Sequence, residues 1–333
     1  MATLRITIDK MVDAATRDLV GAWGRAWHEV VAEWRIAIAD LLAQAPGEDE
    51  WITRRMLTRA EKAQSALYAT AEKLEELGRL VGVRVDKDLP KLADAVLDAM
   101  DDVIGSQLPA GFDASWLRVP ADDLDWIVQR STQEITARMW PLPTETTSVM
   151  RSVLIRGVIV GDNPRAAARM LLGRVKQAFD GGLARAENIM RTEMLDSTRA
   201  AALASRQRNR DVLAGWRWMS TLSARTCPSC LSMHGTVHDV DEWGPIDHQS
   251  GRCTAVPIVK AWSELGIDRP EPQPVFPDGQ RWFTSQPAKV QKQILGPGRY
   301  AAYKRGDLAW DDLAKRRTTP GWRDSYVPAP VPR

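Results

Sequence analysis

LVGAWGRAWHEVVAEWRIAIADLL, residues 19–42, sets the architecture of the N-terminal region. Its large apolar residues fall at Leu19, Trp23, Trp27, Val30, Trp34, Ile38 and Leu41. Steps of four and three residues trace one stripe along a helix of period 3.6. Residues 43–47 break the stripe, and a second begins at Met56. It runs through Ala60, Ala63, Leu67, Ala71, Leu74 and Leu77. The alanines of this seam let a neighbouring helix approach closely. Gly78 and Gly82 are expected to end the second helix. A third short segment, 92–104, and a fourth, 124–140, follow, the last stopped by Pro141 and Pro143. The expectation is a mostly α protein with an elongated N-terminal helical hairpin or bundle over residues 1–143.

After the break PLPTETT, residues 148–160 form an apolar, helix-compatible run. GDNPRAAARM then offers Asn163 as an N-cap and Pro164 at the first helical position. Gly181-Gly182 reads as a stop, and 183–211 as another long helix rich in Ala, Arg and Met. Arg185, Arg191, Arg199, Arg206, Arg208 and Arg210 on or near it either face phosphate or pair with Glu187, Glu193 and Asp211. AGWRWMST, residues 214–221, alternates as a strand does, and TAVPIVK further on is a second short apolar run. Residues 144–265 are thus expected to form an α+β domain. Residues 266–317 read as a Pro-rich linker and short C-terminal helices about Gly296-Pro297-Gly298, and 318–333 as a flexible tail.

Composition bounds the function. The 333 residues carry 45 basic and 43 acidic side chains, a net charge of +2, so a polyanion-binding surface over the whole molecule is not expected. Fourteen tryptophans against four phenylalanines suit interfaces as well as cores. The start MATLRITIDK shows no signal-peptide pattern, no apolar run is long enough for a membrane span, and three cysteines do not make a secreted disulfide framework. Folding in a reducing cytoplasm is the expectation.

All three cysteines and three of the four histidines fall within CPSCLSMHGTVHDVDEWGPIDHQSGRC, residues 227–253. Cys227-x-x-Cys230 is the knuckle spacing of a tetrahedral metal site, and His248 and Cys253 form a return pair delivered by a hairpin. Soft thiolates with one imidazole suit structural Zn²⁺. His234 and His238 are alternative ligands. A redox CxxC is a further reading, but its flanks lack the strand-to-helix turn of a βαβ unit. Asp247-His248 is similar to the start of an HNH nuclease site, although no histidine follows His248.

The order of motifs resembles the phage head morphogenesis family, the Mu-type minor head (minor capsid) proteins. Arg191-Thr192-Glu193 opens a helix, a Trp-bearing strand follows, and then come RTCPSC at 225–230, MHG at 233–235 and His248-x-x-x-Arg252-Cys253. The resemblance covers roughly 145–260, and 290–315 also looks like the family's C-terminal stretch. Gly251 stands where the family often has a further Cys, Gln249 where it has Pro, and Ala224 where it has an acidic residue. The resemblance implies a non-enzymatic, low-copy virion component with a small zinc-knuckle-like hairpin. Its partners would be the portal protein, other head proteins and packaged DNA. It would act in assembly, packaging or ejection, inside the head or at the portal vertex, after passing through the host cytoplasm. Some relatives carry a fused toxin domain; none is expected here. The competing readings are a metal-dependent nuclease and a nucleic-acid-binding knuckle protein acting during packaging.

Overall fold

The computed structural model of the protein describes residues 2–45, 52–112, 117–156, 164–272, 276–320 and 322–332. It is mostly helical, with a small sheet and short C-terminal helices after the long ones, as the sequence implies. The first six helices are α1 (Ala2–Ala43), α2 (Arg54–Arg59), α3 (Glu61–Ser106), α4 (Ala121–Met139), α5 (Leu142–Ile155) and α6 (Pro164–Arg208). Strand β1 (Leu213–Met219), α7 (Pro228–Met233), β2 (Val237–His238) and β3 (Thr254–Val259) follow. Helices α8 (Gly279–Ser285), α9 (Ala288–Leu295) and α10 (Pro297–Arg305) lead to the hairpin β4 (Ala314–Thr319) and β5 (Trp322–Pro328).

The chain divides into two compact units built from interleaved segments. One comprises Asp9–Asp88 and Gln129–Met194; the other comprises Met1–Ile8, Leu89–Val128 and Leu195–Arg333. In the first, the whole 19–41 stripe is buried, with Trp23 and Trp34 at 1% and 0% exposure. Trp34 Nε1 donates to Thr70 Oγ1 at 2.9 Å, which gives the buried indole its partner. The rings of Trp23 and Trp27 lie 5.1 and 5.3 Å from that of Phe179. Arg191 donates to Asp13 and to Thr16 at 3.1 Å each, and Glu193 pairs with Arg138 at 3.1 Å. The Arg-Thr-Glu motif is therefore a packing anchor from α6 to α1 and α4.

Several expected helix ends are not ends. α3 passes through Gly78 and Gly82 and absorbs the segment 92–104, and α6 passes through Gly181-Gly182. A helical glycine costs only about 1 kcal/mol against alanine, less than the burial of one large apolar side chain. The glycines also make room for neighbours. A Cβ on Gly182 would lie 3.0 Å from both Thr146 Oγ1 and Trp23 Cζ2, and one on Gly78 3.8 Å from Met139 Cβ. PLPTETT, expected as a break, is where α5 starts, with Pro141 at the N-cap and Pro143 in the first turn. The expected cap Asn163 and the end of the 148–160 run lie outside the described residues.

In the second unit, β1 is the centre of an antiparallel sheet of order β2-β1-β3, with Trp216 opposite both His238 and Pro257. Gln107, just beyond α3, ties this sheet down. Its Nε2 donates to Pro257 O at 3.0 Å, and its Oε1 accepts from Val259 N at 3.2 Å. The segment 266–317, expected as linker and helices, packs a core of its own around Phe283, Leu295, Leu313 and Leu231 of α7. α9 and α10 meet at Gly296, whose φ of 76° favours glycine. The segment 318–333, expected as a flexible tail, instead supplies β5. It does not fold alone: β5 pairs with β4, buries Ser325 and sets Tyr326 edge-on to Trp218 with ring centroids 6.0 Å apart.

Candidate metal centre

Two short pieces of backbone bring the cysteines together. Cys227 precedes α7, and its Sγ accepts from Cys230 N at 3.3 Å, a turn that points both sulfurs the same way. The return comes from residues 247–253, which close a turn through Gly251 N donating to His248 O at 2.9 Å before β3 begins. Cys230 and Cys253 are buried against Trp216 and Trp218, and Cys227 is half-buried.

The ligand atoms of Cys227, Cys230 and His248 all lie within 4.8 Å of one another, as do those of Cys230, Asp247 and Cys253. The two sets share Cys230, and through it Cys227, Cys230, Cys253 and His248 lie close enough to hold a metal, whose zinc–sulfur bonds would be about 2.3 Å. His248 Nδ1 donates to Gln249 O at 2.9 Å, which leaves Nε2 for a metal. The three cysteines are unpaired thiols, a donor set that fits Zn²⁺.

The two other histidines are engaged elsewhere. His234 Nδ1 accepts from Ser220 N at 3.0 Å, and its Nε2 lies 3.0 Å from Pro277 O. His238 stacks on Trp216 at 4.2 Å, with Nδ1 at 2.9 Å from Glu242 Oε1 and Nε2 at 2.9 Å from Thr236 Oγ1. Burial pushes His234 below the usual imidazole range.

The electrostatics separate the thiols. Hydrogen bonding from Cys230 and from His248 holds Cys227 down to about 4. Cys230 is pushed up by its hydrogen bonds to the sulfurs of Cys227 and Cys253 and by burial. His248, bonded to the Cys227 sulfur, is raised to about 9. Without metal, Cys227 and His248 form a thiolate–imidazolium pair; a bound cation would replace the imidazolium proton.

Gly251, where the family often has cysteine, has no room for a side chain. A Cβ there would stand 2.3 Å from Asp247 Oδ2 and 2.7 Å from His248 O. Asp247 is fully buried: its Oδ1 pairs with Arg199 at 2.7 Å, and its Oδ2 accepts from Cys253 N at 3.0 Å. Sequence reasoning singled out Asp247 only as a neighbour of His248. It missed Asp196 and Arg323, which complete the charge cluster around Asp247.

The arginines on and just after α6 have specific partners, though not those expected. Arg185 pairs with Glu145, Arg208 with Asp123 at 3.5 Å and Arg210 with Asp241. Arg206 is buried, lies 5.2 Å over the Trp216 ring and donates to Glu242 O at 3.1 Å. Burial lowers its pKa to about 10.

No helix among the described residues is long and apolar enough to cross a membrane. No curated protein and no solved structure matches the chain. Residues 148–256 match the family model described as Phage Mu protein F like protein, a span holding all four of Cys227, Cys230, His248 and Cys253. Over this segment, about a third of its length, the chain is similar to that family, in line with the resemblance to the phage head morphogenesis proteins.

Proposed function

We propose that the protein is a non-enzymatic minor head protein of a tailed phage, associated with the portal vertex in low copy and contributing to head assembly, DNA packaging or DNA ejection. The family match over 148–256 carries this reading. That family is generally structural, and it implies other head proteins as partners. The portal protein is the partner proposed first, with packaged DNA as a second contact, and the virion as the site of action.

Within this reading, Cys227, Cys230, His248 and Cys253 hold one structural zinc. The ion supplies a cross-link between the start of α7 and the loop before β3, in a segment with few large apolar residues. Four protein ligands fill a tetrahedral shell and leave no position for an activated water. Asp247 supports the staple over a nuclease centre, because both its oxygens are held by Arg199 and the Cys253 amide. The ion-paired and buried arginines on and just after α6 likewise favour packing over a phosphate-binding face.

Co-expression of the chain with the portal and major head proteins of the same phage, followed by isolation of rings and particles, tests the proposal. The chain is expected in both fractions at a few copies per particle. Its absence from portal rings and from particles overturns the assignment.

A further inference from the structure

The loop presenting His248 and Cys253 is clamped by a charge cluster drawn from three distant parts of the sequence. Asp196 and Arg199 come from α6, Asp247 from the loop and Arg323 from β5. Arg199 Nη2 reaches Asp247 Oδ1 at 2.7 Å and also donates to Gly251 O at 2.9 Å. Arg323 Nε pairs with Asp196 Oδ2 at 2.6 Å and its Nη2 with Asp247 Oδ1 at 3.2 Å. Its Nη1 donates to the backbone carbonyl of Asp247 at 2.7 Å. Arg323 thus holds the side chain and the main chain of the residue next to His248. The same strand reaches both halves of the Cys/His cluster. Tyr326 N donates to Ile246 O at 2.7 Å, and Tyr326 O accepts from Ser229 Oγ, between the two cysteines of the CxxC, at 3.4 Å.

We propose that β5 is a positioning element for the metal centre, with Arg323 as the residue that fixes the 247–253 loop so that His248 and Cys253 meet Cys227 and Cys230. The proposal rests on the zinc reading above. A guanidinium is suited to the task, because its planar fork offers several donors in fixed geometry. Without Arg323, the buried Asp247 and the half-buried Asp196 share Arg199 as their guanidinium partner, and the loop loses its carbonyl anchor beside His248. Removing partners that orient metal ligands typically weakens metal affinity about 10–100-fold.

The test uses the full chain, with zinc affinity measured by competition against a chromogenic chelator. The absorption spectrum of the cobalt-substituted protein reports ligand geometry, and circular dichroism reports the fold. Arg323→Ala and Arg323→Gln are compared with the parent and with Arg316→Ala. Arg316 is exposed on β4 and pairs with Asp324, the neighbour of Arg323, so it controls for loss of a β5 ion pair that does not involve Asp247. The expected result is one tightly bound zinc in the parent and in Arg316→Ala. Both Arg323 variants should keep the parental dichroism, bind zinc about 10–100-fold more weakly and show a shifted cobalt spectrum. Arg323→Gln keeps the side-chain stem and one donor, and so guards against loss of fold in Arg323→Ala. Parental affinity and cobalt spectrum in whichever variant is folded overturn the positioning role. A parent that binds no zinc overturns the metal reading itself, a distinct outcome.

Discussion

Cys227 and His248 make the most direct predictions, because each moves the other's proton. After metal removal, Cys227 should be alkylated at pH 6 well before Cys230, since the first is held down to about 4 and the second is pushed up. Peptide mass spectrometry after a short pulse of iodoacetamide checks the order, and equal labelling would contradict it. The same pair fixes a pH dependence of stability in the metal-free protein. Cys227 falls from 9.0 to about 4, so its contribution is complete above pH 9 and is lost as pH falls through 4. His248 rises from 6.5 to about 9, so its contribution is complete below 6.5 and is lost as pH rises through 9. Stability should therefore climb from pH 4 to 6.5, then level off towards 9 as the two effects offset one another. Urea midpoints measured in chelator across that range give the profile, and His248→Ala should remove the plateau. Gly251 offers a steric test. Adding one methyl there forces Asp247 or His248 to move, and Gly251→Ala should cost about 1–3 kcal/mol of stability; an unchanged urea midpoint would show that the loop has slack.

The helices show which parts of the fold could be read locally. The 19–41 stripe was legible because one face of a 3.6-period helix must be apolar wherever it is buried, and every member of the stripe is buried. Trp27→Ala should cost about 3–5 kcal/mol by leaving a void beside Phe179. Trp34→Phe should cost about 1 kcal/mol through the lost bond to Thr70. Denaturant unfolding of each variant checks both values; a parental midpoint in Trp27→Ala would remove the stripe from the core. That α3 and α6 continue through Gly78, Gly82 and Gly181-Gly182 was not legible. A glycine signals a stop and a close helix contact alike, and only the position of Thr146 and Trp23 against Gly182 decides between them. The hairpin of β4 and β5 was hidden for a similar reason. Its stability comes from Tyr326 against Trp218 and from Arg323 on Asp196, 127 residues away, and neither contact leaves a mark in the tail's own sequence.

The Cys/His cluster was legible because its candidate ligands fall within 27 consecutive residues, so thiol chemistry and spacing alone bring them forward. The clamp that orients them was not, since arginines and aspartates are common and these come from three separate regions. The family segment, the thiol-rich cluster and the committed oxygens of Asp247 are the observations behind the proposal of a stapled assembly protein, and a hydrolase is its rival. His248 separates those two possibilities most sharply. The decisive measurement is zinc content and thermal midpoint of the parent and of His248→Ala, with both proteins assayed for metal-dependent cleavage of duplex DNA. A structural centre predicts close to one zinc per chain in the parent, lower zinc and a lower midpoint in the variant, and no cleavage by either. Zinc retained in His248→Ala, together with parental cleavage that the substitution abolishes, would contradict the account and assign His248 to catalysis.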